Sequence, residues 1–269
     1  MISYLLFSLV GFMSDAFFHG LTINIAGEHV SLTVQEAETI RRMGAFIMDS
    51  VPVSSPGPYR SVIKANQKIC GIPYADAEFY TCIPIVSDLL LPDACIFHGT
   101  AFIWKGLAYI LTGPSGIGKT TQYLNWSGLY GDEVTLINGD KPALRVCEDR
   151  TVMVYPSPWN GKEDLRGDRS ARLGGIVCLE QAASNAIHLC TEKEAVPFLF
   201  PQVFSLAQDE NSVNAIAVFT ENLIRSVPVW LLSNKGDPDS ARLTQETIQA
   251  YRYIFAQETN PAYREGVHE

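Results

Sequence analysis

Nine consecutive residues carry the densest chemistry in this chain: Gly113-Pro114-Ser115-Gly116-Ile117-Gly118-Lys119-Thr120-Thr121. They fit G-x-x-x-x-G-K-[ST], the spacing of a phosphate-binding loop. Gly113, Gly116 and Gly118 permit backbone angles that a side chain forbids, so successive N–H groups can turn inward around an anion. A helix starting near Gly118 aims the positive end of its dipole at the same point. Lys119 adds a point charge for the β- and γ-phosphates, and Thr120 offers a hydroxyl to magnesium. The spacing therefore predicts a nucleoside triphosphate site with room for a bound Mg2+.

Two other stretches hold candidate groups. Glu133-Val134-Thr135-Leu136-Ile137-Asn138 reads as a strand ending at Gly139-Asp140. An acid there, one helix after the loop, can reach a metal beside the γ-phosphate; the alternative is a turn residue. Tyr155-Pro156-Ser157-Pro158-Trp159-Asn160-Gly161-Lys162-Glu163 is a rigid, aromatic and charged loop. In it Trp159 either stacks on adenine or packs under its own loop. Lys162 either reaches a phosphate or is a solvated surface lysine.

The elements that must position these groups are legible around them. Leu107-Ala108-Tyr109-Ile110-Leu111-Thr112 is a short apolar run, as expected of a strand buried on both faces. A helix over Thr120–Trp126 follows, with Gly128 as its stop. Thr100–Trp104 and Lys105-Gly106 predict an antiparallel hairpin strand directly before the loop strand. Gly174–Leu179 and Val227–Leu232 read as further strands, Ser212–Arg225 as an amphipathic helix, and Asp237-Pro238 as the start of a C-terminal helix. Upstream, Leu21–Ile25 alternates like a half-buried strand. Thr33-Val34-Gln35-Glu36 has the form of a capping box for a helix carrying Ala37, Ile40 and Met43. Residues 60 to 92 read as short strands and turns.

Composition bounds the possibilities. The chain has 269 residues, 47% of them hydrophobic, enough for a substantial core. The net charge of -9 argues against a nucleic-acid partner, which needs clustered Lys and Arg. Arg166, Arg169 and Arg172 are interleaved with Glu163, Asp164 and Asp168, the pattern of a mixed, solvated face. None of the six cysteines forms a C-x-x-C pair, so free thiols in a reducing cytoplasm are expected. The apolar start, Met1 to Met13, lacks the basic segment of a signal peptide and is too short to span a bilayer. It reads as core strand, and no membrane partner is expected. His19, His29, His188 and His268 read as structural.

The order Phe97-His98-Gly99, hairpin, glycine loop, helix, strand, acid resembles the HPr kinase/phosphorylase catalytic domain and its relative, the phosphoenolpyruvate carboxykinase fold. Pro158-Trp159-Asn160-Gly161-Lys162 and Val227-Pro228-Val229-Trp230-Leu231-Leu232 look like those of small HPr-kinase-like proteins, including kinases of peptide natural-product clusters. The likeness covers residues 94 to about 235. It implies an ATP-dependent kinase acting on a hydroxyl of a peptide, protein or small metabolite, often a serine. The family's histidine before the hairpin corresponds to His98, as base or phosphate ligand. The family has two adjacent acids after the next strand. Here Gly139 takes the first place, so only the metal-binding role passes to Asp140 and the base has no matching acid. The family's phosphorylase signature is not evident.

The expected fold is thus α/β, a P-loop kinase with a central mixed β-sheet over residues 94–259. A β-rich accessory α+β lobe is expected over 1–93 and a loose tail over 260–269. Lys119, Asp140 and His98 are the expected catalytic groups, and Thr120 and Asp140 the metal ligands. A nucleotide-binding or hydrolysing protein without phosphotransfer is the alternative.

Overall fold

A computed structural model describes residues 18–161, 163–207 and 209–259, with side chains as far as Ile254. The apolar start over 1–13, Lys162, His268 and the tail over 260–269 lie outside the described residues.

The first sheet holds β1 (Phe18–Ile25), β2 (Glu28–Val34) and β3 (Ile47–Val53), in the antiparallel order β2-β1-β3. Ala26 and Gly27 both take positive φ, which matches the twist of a two-residue hairpin. Alternate residues Leu21, Ile23 and Ile25 are buried, as the period-two pattern predicts. Helix α1 (Ala37–Met43) lies between β2 and β3, but the predicted capping box does not form. Thr33 is spent in the β1–β2 ladder opposite Gly20. The carboxylate of Glu78 takes its place, accepting from Gln35 N at 2.7 Å and Glu36 N at 2.9 Å. Two charge-assisted bonds compensate for burying Glu78 to 1% exposure.

Residues 60 to 92 correct the sequence reading. They form two helices, α2 (Arg60–Cys70) and α3 (Tyr74–Leu90), rather than short strands and turns. Helix α3 is buried over most of its circumference, which erases the amphipathic stripe that marks a surface helix. It also carries Pro84 in its interior, normally a helix breaker.

The central sheet is mixed and nine-stranded. Its elements in chain order are β4 (Ala94–Ile96), β5 (Gly99–Trp104), β6 (Leu107–Thr112), α4 (Lys119–Tyr130), β7 (Val134–Asn138), β8 (Ala143–Val146), β9 (Val152–Tyr155) and β10 (Ala171–Gln181). Then follow β11 (Ala186–Leu189), α5 (Glu192–Leu199), α6 (Glu210–Ser226), β12 (Val229–Asn234) and α7 (Pro238–Thr259). The main path runs β4-β8-β9-β10-β6-β5-β7, with β12 also on β10 and β11 on β12. Strand β10 is parallel to β6 and to β12; the other pairs are antiparallel. The β5–β6 hairpin turns at Lys105 and Gly106, both at positive φ, as expected.

Strand β6 shows why the sheet is covered on both faces. Ala108 and Ile110 join the cluster under α6, with Phe219 and Leu223. Tyr109 and Leu111 join the opposite cluster with Trp126 of α4 and Ile248 of α7. A third cluster joins Leu21, Ile23 and Phe79 to Ala94, Ile96, Ala143 and Trp159, so one core crosses position 93. Helix α4 runs past Gly128 and ends at Gly131, whose φ of 51° a helix cannot continue. Gly128 is therefore an interior glycine, tolerated at a cost of about 1 kcal/mol.

Candidate functional site

Strand β6 ends at Thr112 and α4 begins at Lys119, so the glycine loop occupies the connection between them. Gly113 has φ 142° and is packed so tightly that an added Cβ would lie 3.1 Å from Leu179 O. Gly118, at φ 108°, is the N-cap of α4, a position that needs no side chain if the loop is to turn its N–H groups inward. Gln122 N donates to Gly118 O at 2.9 Å, the first turn of the helix. Pro114, Ser115, Gly116 and Thr121 are exposed, while Ile117 and Thr120 are half-buried. Lys119 is 8% exposed and its Nζ donates to Gly113 O (3.0 Å) and Pro114 O (3.1 Å), folding back over its own loop. Burial pushes the Lys119 ammonium below its ordinary pKa; Asp140 opposes that shift and Lys141 adds to it.

The sheet brings His98 and Asp140 to the same end. Gly99 pairs with Thr112 across the hairpin, and its N–H donates to Asp140 O at 2.9 Å. Thr112 Oγ1 donates to His98 O at 2.7 Å, and Thr100 Oγ1 to Gly139 O at 2.8 Å. These bonds tie the start of β5 and the end of β7 to the residue that precedes the glycine loop. On this frame His98 Nε2 lies 3.4 Å from Asp140 Oδ1, while His98 Nδ1 is 3.0 Å from Gln202 Oε1. The Lys141 ammonium bonds Asp140 Oδ2. Burial alone would raise the Asp140 carboxyl. The His98 hydrogen bond and the Lys141 charge outweigh it and hold the pKa at about 2, so the group is ionised throughout the neutral range.

Asp140 lies in the turn after β7, but its side chain does not make that turn. The turn is made by Asn138, whose Oδ1 accepts from Asp140 N (3.0 Å) and Lys141 N (2.7 Å). Asn138 is fully buried, and its Nδ2 donates to Ser157 O at 3.2 Å. The Asp140 side chain is thereby left for His98 and Lys141. Gly139 is also explained. A Cβ there would meet Leu165 O at 2.9 Å and Asn160 O at 3.1 Å. The main-chain carbonyls of Asn160 and Leu165 fill the space that a first acid would need.

Trp159 requires a correction. It is 1% exposed, sits in the core cluster shared with Phe79, and its Nε1 donates to Phe79 O at 2.9 Å. A ring held that way packs under its loop and offers no face to adenine. Lys162, the other expected contact from this loop, lies outside the described residues. The other acids near these elements in the chain, Asp132, Glu133 and Glu163, are all exposed.

Sequence reasoning missed two groups. Lys141 stands next to Asp140 in the chain, so a search for charges beside the acid would have found it. Gln202 lies 104 positions from His98, and no spacing rule links them.

The donor set can be tested for magnesium. Among the described residues no cluster of three or more His, Cys, Asp or Glu side chains exists to form an all-protein cage. Nucleotide-bound Mg2+ needs none, because it keeps waters and phosphate oxygens and takes one or two protein oxygens. One ionised carboxylate, Asp140, and the half-buried Thr120 one residue into α4 fit that modest demand. Among the described residues, no helix is long and apolar enough to cross a membrane.

No protein-family model matches the chain, and no curated protein does. Among solved structures it is similar to an HPr(Ser) kinase/phosphatase from Coxiella burnetii, at a TM-score of 0.37 and 11% identity, over 64% of this chain and 99% of that one. A likeness at that level bears on no residue of the site.

Proposed function

We propose that this protein is an ATP- and magnesium-dependent phosphotransferase that passes the terminal phosphoryl group to a hydroxyl of a peptide, protein or small metabolite. One observation supports this above the others. A glycine loop with its buried lysine and an ionised Asp140 paired to His98 stand at the same end of one sheet, tied together through Gly99 and Thr112. The loop N–H groups, the start of α4 and Lys119 bind the phosphates, which costs little reorganisation because the backbone is already bent. Thr120 and Asp140 hold the metal, which neutralises charge on the phosphates when bound. Asp140 and Gln202 between them fix the His98 ring.

His98 Nε2 is the candidate base. Its Nε2 faces Asp140 Oδ1, to which it can donate only while it carries the proton. To act as base the ring takes the tautomer with Nδ1–H donated to Gln202 and Nε2 bare, which the Asp140 carboxylate permits once it turns to the metal. A positioned base contributes on the order of 10²–10⁴-fold. His98→Ala should lower turnover by about that factor with little change in nucleotide affinity. The decisive assay follows labelled ATP with and without peptide and metabolite hydroxyl acceptors, in parallel with nucleotide binding. Binding without transfer to any acceptor would favour the second reading, a nucleotide-binding or hydrolysing regulatory or maturation protein. That second reading draws on Gly139, where the packed backbone leaves no room for a second acid.

A further inference from the structure

Lys141 has no part in the reading above, yet it is built into the site. Its side chain is 16% exposed, and its ammonium bonds Asp140 Oδ2. The ammonium also stands 5.5 Å from the centre of the Phe204 ring, a face that favours a cation. The backbone at 141 is fixed on both sides. Lys141 N donates to Asn138 Oδ1 at 2.7 Å, and Ser157 Oγ donates to Lys141 O. The side chain keeps its four-carbon reach while its root cannot move.

The charge balance points outward. Lys119 and Lys141 are two partly buried ammonium groups, and Asp140 is the carboxylate whose charge acts on both. Two such cations sharing one anion leave a positive excess that is costly to bury unless a further anion takes part in it. Lys119 follows β6 and Lys141 follows β7, with β5 between these two strands. Lys119 therefore approaches the loop from its own helix, and Lys141 approaches from the Asp140–His98 side.

We propose that Lys141 is a second phosphate-binding cation, directed at the terminal phosphate of the nucleotide. This rests on the reading of the glycine loop as a triphosphate site. On binding, the ammonium exchanges Asp140 Oδ2 for a terminal phosphate oxygen, which frees that carboxylate oxygen as well. The rival is that Lys141 only neutralises Asp140.

Calorimetric titration with ATP and with ADP, both in EDTA to exclude metal effects, separates the two. Four proteins are compared: wild type, Lys141→Met, Asp140→Asn, and the double variant. Lys141→Met should weaken ATP about tenfold and ADP much less, since a hydrogen bond to a charged group carries that order of affinity. The same loss should recur when Lys141→Met is added to Asp140→Asn, because the lost contact is to phosphate. Lys141→Arg should recover most of the ATP affinity. If the double variant binds ATP as Asp140→Asn does, or if ATP and ADP weaken equally, the inference is overturned while the nucleotide site stands. If wild type binds neither nucleotide, with or without magnesium, the reading of the loop fails and the inference with it. Lys141→Gln serves if the methionine variant does not fold.

Discussion

Gly139→Asp is the substitution that the resemblance to HPr kinases would recommend, since it restores the absent first acid. The structure predicts the opposite result. A Cβ at 139 would sit 2.9 Å from Leu165 O, 3.0 Å from Leu165 Cβ and 3.1 Å from Asn160 O. Two of these are main-chain carbonyls, which cannot rotate away as a side-chain tip can. Overpacking of this kind costs about 1–3 kcal/mol. The same displacement strains the bond from Gly139 N to Leu165 O, now 2.8 Å, whose loss adds about 1 kcal/mol. The new carboxylate would also stand beside Asp140. A total of roughly 2–4 kcal/mol follows, which for a chain of this size lowers Tm by roughly 4–8 °C. Urea unfolding of wild type, Gly139→Ala and Gly139→Asp is the assay. Gly139→Ala isolates the steric part and should account for most of the loss. Both variants matching wild-type stability, or Gly139→Asp gaining turnover without losing stability, would refute the packing argument and return the site to the sequence reading.

Three further outcomes are expected. Lys119→Ala should weaken or abolish binding of a magnesium–ATP analogue in calorimetry while the chain stays folded, since the ammonium bonds the carbonyls of its own loop; unchanged affinity would remove the loop from the proposal. Trp159→Phe should cost about 1–2 kcal/mol in urea unfolding, through the lost bond to Phe79 O and a small cavity, with nucleotide affinity unchanged; a loss of affinity at full stability would restore the stacking role. Asp140 has a folded pKa near 2 against an ordinary 3.8, so its contribution to stability is present above about pH 4 and is lost as pH falls toward 2. Wild type should therefore lose about 2 kcal/mol more than Asp140→Asn between pH 5 and pH 2, and parallel pH profiles for the two proteins would contradict the pairing with His98 and Lys141.

The elements legible in the sequence share a physical cause: their signals are local. The glycine loop is readable because phosphate-compatible backbone angles demand glycine at fixed positions, and the strand before it because burial on both faces demands an unbroken apolar run. The hairpin at Lys105-Gly106, strand β7 ending next to Asp140, and the Asp237-Pro238 helix start are set by residues within a few positions of one another. Tertiary structure decided what depends on distant partners. Helix α3 emerged where burial over most of its circumference had hidden its period, and the start of α1 is capped by Glu78 from 42 positions away rather than by Thr33. Trp159 turned inward because Phe79 O, 80 positions back in the chain, was there to take its N–H. The quartet of His98, Gln202, Asp140 and Lys141 forms because the start of β5 lies beside the end of β7 and the segment at 202 folds over them, a meeting no spacing in the chain encodes. The sequence therefore specified the glycine-loop motif, while long-range packing chose the groups that surround it and closed the place of the first acid.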